Sequence, residues 1–202
     1  MTVNQLYSTF NHDLVSRFQN EFAQFVLSNK HDVVVETGEG VSTVCLLNAV
    51  PDIKLYSVDP NPWSNFAFED KRHFPIRERS FEGLPQVFKK SGPWDFFLHD
   101  GNHDIKAMTY DLEMAYCCVA HNGYIACDDW TWGNHGAWNR FTARHSLESF
   151  PMGSLMIAQK SHSKSIASTD LDFYHSHALQ IAEKHEKEWL ALGNQNTPIF
   201  IQ

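Results

Sequence analysis

The chain has 202 residues, of which 43% are hydrophobic and 20% charged, a balance that indicates a folded globular protein and excludes an extended disordered chain. The formal net charge is −8, and an acidic surface repels phosphate backbones, so no nucleic-acid partner is expected. The densest basic segment consists of Lys71, Arg72, His73, Arg77 and Arg79. Because acids are interleaved with these residues, we interpret the segment as a solvated face.

The sequence predicts neither a membrane segment nor a secretory signal. No stretch approaches the roughly 20 apolar residues of a membrane span. The first residues lack a basic flank followed by an apolar core. The four cysteines lie in apolar runs without zinc-ligand spacing, and they are Cys45, Cys117, Cys118 and Cys127. This pattern is typical of buried thiols in a reducing compartment, so we expect a cytoplasmic protein with no membrane partner.

The predicted elements begin with a helix and a buried strand. Large apolar residues recur at helical spacing over residues 10–28. Three valines at 33–35 lead into glycine-rich sequence, which predicts a strand buried on both faces. A turn at 38–40 then opens a predicted helix over 41–50, which Pro51 ends.

The middle of the chain repeats the alternation of strand and helix. Residues 53–59 predict a second strand, 64–73 a short helix, 74–80 a weak third strand and 81–90 a helix. Apolar residues at 94–100 predict a strong fourth strand.

The next segment completes the pattern. Apolar residues from Ile105 to Val119 trace one helix face, and Asn122-Gly123 predicts a turn into a fifth strand at 124–129. Strands that alternate with helices imply right-handed crossovers. We therefore predict an α/β fold with a doubly wound, mainly parallel sheet and helices on both faces.

Beyond residue 130 the pattern is weaker. Residues 154–160 predict a strand and 176–192 a helix. Either 163–169 or 198–202 supplies a predicted edge strand. We expect one domain over 1–202, with a helical segment at 1–30, a binding core at 31–130 and the rest of the sheet and helices at 131–202.

The ends of the predicted strands carry the candidate site residues. In an open parallel sheet, ligands bind beyond the carboxyl ends of the strands. These ends hold Glu36, Thr37, Gly38, Gly40, Asp59, Asp100, His103, Asp128 and Asp129. Acids and glycines are the residues that buried strands disfavour, so their presence at each end predicts a ligand site there.

The glycine turn and Asp59 point to a nucleoside. Asp59 follows Gly40 at the spacing where a carboxylate meets ribose hydroxyls in nucleotide-binding folds. The third glycine of the dinucleotide fingerprint is absent, and Thr43 stands in its place, so the ligand is expected to lack a pyrophosphate. Ser42 and Thr43, at a helix N-terminus, are candidates to bind a carboxylate. The glycines alone are equally well explained by the backbone geometry of a turn.

The acids at the fourth and fifth strand ends point to a metal ion. Any one of them is explained as a loop acid or helix cap. Together, however, Asp100, Asp128 and Asp129 repel one another, and a divalent cation would relieve that repulsion. Oxygen ligands favour Mg²⁺, Mn²⁺ or Ca²⁺ over zinc. His103 beside them is either a surface histidine or a general base.

A group of aromatic residues follows the second and fifth strands. The residues are Trp63, Trp130, Trp132, His135 and Trp138. They are interpreted either as core packing or as the wall of a pocket for an aromatic or sugar-like acceptor.

These residues resemble a known family. VVVETGEGVST resembles motif I of the class I S-adenosylmethionine (SAM)-dependent methyltransferases, and LYSVDP resembles their second motif. The stretch at 94–130 resembles the D-G-x-H…D-L…D-D block of small-molecule O-methyltransferases, including the macrocin-type, metal-dependent group. The resemblance implies a Rossmann-like fold and spans about half the chain.

The resemblance also implies roles for individual residues. Glu36, Gly38 and Gly40, with Thr37 and Thr43 beside them, would shape the cofactor pocket. Ser42 would meet the methionine carboxylate, and Asp59 the ribose. Ser80 stands where the family often has an acid near the adenine. Asp100, Asp128 and Asp129 would hold Mg²⁺. Asn102 replaces an acid sometimes used as the base, which favours His103 in that role.

The predicted function is therefore SAM-dependent methyl transfer to an oxygen of a small molecule, with help from a divalent metal. Three alternatives stay open at this point. One is an NAD(P)-dependent oxidoreductase, against which the missing third glycine argues. The others are a metal-dependent hydrolase and a non-catalytic cofactor-binding module on the same fold. The sequence leaves open the acceptor and the oligomeric state, including a homo-oligomer.

Overall fold

The computed structural model describes residues 18–62, 69–128, 135–161 and 163–193. The strands are β1 (Val33–Thr37), β2 (Lys54–Val58), β3 (His73–Ile76), β4 (Trp94–His99), β5 (Val119–Cys127), β6 (Ser149–Met152) and β7 (Leu155–Gln159). The helices are α1 (Gln24–Ser28), α2 (Val41–Ala49), α3 (Ser80–Ser91), α4 (Ile105–Cys118), α5 (His135–His145) and α6 (Leu171–Ala191). A π-helical turn, Phe18–Ala23, precedes α1, and a 3-10 turn, Ser168–Asp170, precedes α6.

The seven strands form one sheet in the order β3-β2-β1-β4-β5-β7-β6. Strands β1 to β5 pair in parallel, whereas β7 is antiparallel to both β5 and β6. The strand order reverses between β1 and β4, which is where ligands bind in doubly wound sheets. The predicted fold class is confirmed.

The central strands bury both of their faces. On β1, Val34 and Val35 are fully buried, and they belong to different apolar clusters on opposite faces of the sheet. Phe96 and Phe97 divide in the same way on β4. Because successive side chains of a strand point to opposite faces, an unbroken apolar run needs helices on both sides. The packing thus explains why these strands contain no alternating polar residues.

Some predicted element boundaries are wrong. The third strand starts at His73, so the helix predicted for 64–73 does not form over 69–73, and 64–68 lie outside the described residues. The fifth strand already begins at Val119. It passes through Asn122, whose φ is 65°, instead of starting after it. The pairing jumps from Trp94 with Val119 to Phe96 with Tyr124, so the extra residues on β5 form a bulge.

The edge of the sheet also differs from the prediction. The strand predicted at 154–160 forms β7, but residues 163–169 contain no strand. The edge beside β7 is occupied by β6, which was not predicted because its side chains are mostly exposed and lack alternation. Residues 198–202 lie outside the described parts of the chain. No helix in those parts is long and apolar enough to cross a membrane.

Candidate active site

Backbone hydrogen bonds join the carboxyl ends of the central strands into one rim. The Gly38 amide donates to the carbonyl of the last residue of β2 (3.0 Å). The Asp100 amide donates to Thr37, at the end of β1 (3.0 Å), and the Asp128 amide donates to His99, at the end of β4 (2.9 Å). The strand order therefore brings the predicted site residues on four strands to the same edge of the sheet.

The two glycines of the turn have different environments. Gly38 has a φ of +88°, and a Cβ there would lie 2.2 Å from the Asp100 carbonyl oxygen. The fold itself therefore requires glycine at 38. Gly40 has an extended backbone with a φ of −158°, and a Cβ there would meet no described atom within 4 Å. Gly40 is thus not needed for the packing of the described residues, and the turn is open at this point.

Glu36 is the centre of a buried hydrogen-bond network beneath the turn. The hydroxyls of Thr43 and Ser57 donate to its Oε1 at 2.5 Å and 2.6 Å, and that of Ser42 donates to Oε2 at 3.1 Å. Burial raises the pKa of Glu36 to about 7, although the hydrogen bonds from the three hydroxyls act in the opposite direction. The carboxylate thereby ties β1 to β2 and to the start of α2.

Ser42 and Thr43 are fully buried, so their side chains support the turn from beneath. The Ser42 hydroxyl also lies 3.2 Å from Asp100 Oδ2, which places it between two carboxyl groups. The first amides of a helix have no partner within the helix. The backbone at the start of α2, more than the buried hydroxyls, is therefore suited to meet a ligand carboxylate.

Asp59 is held in place at the end of β2. Its Oδ2 accepts from the Glu39 amide (3.0 Å) and its Oδ1 accepts from the Asn61 amide (2.8 Å). Glu39, inside the glycine turn, is buried and forms a two-pronged ion pair with Arg77. Arg77 is itself exposed, as expected of a solvated face, but its guanidinium also pairs with this buried carboxylate. A carboxylate inside a tight turn is the signal that could have indicated a cationic partner.

Asp100 and Asp128 occupy neighbouring strand ends. Asp128 is 4% exposed, and its Oδ1 accepts from the hydroxyl of Ser154 (2.5 Å), in the turn between β6 and β7. Asp129 lies outside the described residues. Within the described ranges, no group of three or more His, Cys, Asp or Glu side chains could hold a metal ion. The two described carboxylates nevertheless have the oxygen chemistry that a hard divalent ion requires.

His103 lies beside these acids and is 7% exposed. Its ring packs edge-on against that of His99, with the centroids 5.4 Å apart. Burial lowers the pKa of His103 to about 4, and the neighbouring His99 adds to the shift. His103 is therefore neutral at pH 7, with one ring nitrogen unprotonated, and the low pKa makes it a weak base.

A second histidine at this rim was not predicted. His99 is fully buried, with Nδ1 2.9 Å from Asp111 Oδ2 and 3.2 Å from Thr37 Oγ1. The polar side chain of His99 at the end of an apolar strand could have indicated a residue of the site. Its partner Asp111 could not have been identified, because Asp111 is on α4 and the sequence does not show which helix face meets β4.

The remaining candidates divide between the rim and the core. Ser80 is half-buried and is the first residue of α3, which follows the end of β3. Trp138 is 1% exposed and packs against Phe141, so it belongs to the core and not to a pocket wall. Trp63, Trp130 and Trp132 lie outside the described residues, as does the side chain of His135.

Residues 35–130 match the model of the family Methyltransf_24, described as a methyltransferase domain. A search of curated proteins gave no match. Among solved structures, the chain is similar to MycE, a methyltransferase from the mycinamycin biosynthetic pathway, in complex with Mg and S-adenosylhomocysteine (SAH). The TM-score is 0.61 at 15% identity, covering 79% of this chain and 54% of MycE, so the chain spans about half the length of that enzyme.

Two shorter proteins are also similar. An O-methyltransferase from Bacillus cereus, in complex with SAH, gives a TM-score of 0.55 at 14% identity, with 78% and 89% of the two chains covered. TomG, an O-methyltransferase of Streptomyces achromogenes in complex with SAM, gives 0.56 at 13% identity, with 79% and 86% covered. At such identities the structures establish the fold. The family match over the predicted motifs identifies residues 35–130 of this chain as a methyltransferase domain.

Proposed function

We propose that this chain transfers the methyl group of SAM to an oxygen of a small-molecule acceptor, with a divalent metal ion at the ends of β4 and β5. The observation that carries this proposal is the single rim that joins the glycine turn and Asp59 to Asp100 and Asp128. Neighbours solved with SAM, SAH or Mg support the same groups here.

The donor half of the site lies over β1, β2 and β3. Asp59 binds the ribose hydroxyls, because backbone amides already orient both of its carboxylate oxygens. Ser80, after β3, lies toward the adenine. The open side of Gly40 lets the methionine part approach the backbone, and the amides at the start of α2 receive its carboxylate. Glu36 holds this turn from below.

The acceptor half lies over β4 and β5. Asp100, Asp128 and Asp129 would hold Mg²⁺, or Mn²⁺ or Ca²⁺ in its place. A bound ion lowers the pKa of an acceptor hydroxyl and orients it. Ser154 fixes the Asp128 carboxylate, and neutral His103 takes the proton. The protein aligns the acceptor oxygen with the activated methyl group, and this alignment supplies much of the rate.

The donor half predicts the effect of losing Asp59. Asp59→Ala removes the charged acceptor of two ribose hydroxyls, so SAH should bind at least about tenfold more weakly. Isothermal titration calorimetry measures this, with the exposed Asp52→Ala as the matched control on the approach to the same strand. Binding of NADH in place of SAH by the unaltered protein would contradict the proposed donor.

The acceptor half predicts a separate effect of losing Asp128. Asp128→Asn should weaken Mg²⁺ or Mn²⁺ binding by about tenfold or more, whereas SAH affinity should stay largely unchanged. Calorimetry with the metal alone and with SAH alone separates the two, and Asp172→Asn, with a side chain 95% exposed, is the control. Equal turnover in excess chelator would remove the metal from the mechanism. Cofactor binding without transfer to any acceptor would indicate a non-catalytic module.

A further inference from the structure

A chain of hydrogen bonds leads from the edge of the sheet to the carboxylate under the glycine turn. His73 is the first residue of β3, and its Nε2 lies 2.9 Å from the hydroxyl of Ser57 on β2. That hydroxyl lies 2.6 Å from Oε1 of Glu36 on β1. Ser57 and Glu36 are both fully buried. Three neighbouring strands are thus linked side chain to side chain, in the order in which they pair.

The direction of these bonds follows from counting hydrogens. The Ser57 hydroxyl carries one hydrogen, and at 2.6 Å it donates this hydrogen to the Glu36 carboxylate, which is ionised above its pKa of about 7. The Nε2 of His73 must then be the donor to the Ser57 oxygen. Burial lowers the pKa of His73 to about 4, with Arg77 adding to the shift, so the ring is neutral at pH 7. A neutral ring that donates from Nε2 exists as a single tautomer.

We propose that His73 is a positioning residue for the donor pocket, acting through Ser57 on Glu36. By donating to the Ser57 oxygen, the ring prevents the hydroxyl from turning away from Glu36. The carboxylate then keeps its place and also holds Ser42 and Thr43 at the start of α2. Removal of the ring nitrogens frees Ser57 to rotate and loosens the turn. This inference rests on the proposed role of the turn in SAM binding.

Calorimetry with SAH tests the proposal on three variants. His73→Phe keeps a ring but removes the donor, and SAH should bind about tenfold more weakly. His73→Gln restores a donor at a similar reach, so affinity should return to within about threefold of the unaltered protein. Phe74→Leu is the matched control, because Phe74 points to the opposite face of the same strand and stacks on Tyr56 at 4.8 Å. Its SAH affinity should not change.

If His73 had a purely structural role, glutamine would not restore the SAH affinity, and the ring would not be held in one tautomer. Long-range ¹H–¹⁵N correlation spectra of the histidine rings should show His73 protonated at Nε2, with that preference lost in Ser57→Ala. A proton on Nδ1 in the unaltered protein overturns the proposal, as does wild-type SAH affinity in His73→Phe. If His73→Phe does not fold, the tautomer of His73 and the SAH affinity of His73→Gln still test the proposal. If the unaltered protein binds no SAH, the proposed function fails, while the tautomer still tests the hydrogen-bond chain.

Discussion

Gly38→Ala is expected to lower the free energy of unfolding by about 3 kcal/mol or more and to abolish measurable SAH binding. A φ of +88° strains any residue with a side chain, by about 1–3 kcal/mol. The added methyl group would also lie 2.2 Å from the Asp100 carbonyl oxygen, so the turns after β1 and β4 would have to separate. Both halves of the proposed site depend on this contact.

Gly40→Ala is the matched control, two residues away. Its extended backbone accepts alanine, and the methyl group would meet no described atom, so stability should change by less than about 0.5 kcal/mol. SAH affinity should still fall, because the methyl group would fill the open side of the turn. Urea unfolding and calorimetry on both variants give the comparison. Equal stability of the two variants would show that the turns do not touch.

Acid is expected to destabilise the protein by about 4 kcal/mol between pH 7.5 and pH 4.5. Burial lowers the pKa values of His73, His103 and His185 to about 4, from 6.5 in the unfolded chain. Each neutral ring therefore stabilises the fold fully above pH 6.5, and this contribution is lost as the pH falls towards 4. Glu36 offsets part of the loss, because its raised pKa favours the folded state at lower pH.

His185 isolates one of these contributions away from the rim. It is 2% exposed, and its Nδ1 is hydrogen-bonded to the Thr109 hydroxyl at 2.7 Å, which joins α6 to α4. Arg140 and Arg144 add to the effect of burial on its pKa, and Glu188 and Glu113 oppose it. His185→Gln should reduce the loss of stability between pH 7.5 and 4.5 by about 2 kcal/mol.

Urea unfolding across this pH range measures the slope of the free energy of unfolding against pH. This slope is independent of any stability that the substitution removes at neutral pH. The exposed His177, on the same helix, provides the control as His177→Gln. Identical slopes for His185→Gln and the unaltered protein would show that His185 is not protonated during acid unfolding.

The parts of the site that were predictable lie at the ends of apolar runs. Glu36, Asp59 and Asp100 could be placed at one rim because parallel strands end at the same edge of a sheet, and this needs no knowledge of strand order. The doubly wound fold followed from the alternation of strands and helices. The edge hairpin was missed since β6 is short and exposed.

The parts of the site that the sequence did not predict are contacts between residues on different strands and helices. Arg77 with Glu39, His73 with Ser57, and His99 with Asp111 each join residues that the folded arrangement brings together. A local pattern can indicate that a buried carboxylate needs a partner. It cannot indicate which strand or helix supplies that partner, because this depends on the order β3-β2-β1-β4 and on helix rotation.

The turn between β6 and β7 is a place where the sequence can change without affecting the whole rim. Ser154 connects this exposed hairpin to Asp128, whereas Asp59 and the glycine turn sit across the sheet on β1 and β2. Replacements in the hairpin therefore alter the surroundings of one end of the rim and leave the other untouched. Under the proposed function, such a division would allow relatives of this chain to exchange acceptors over evolutionary time while they keep a common donor.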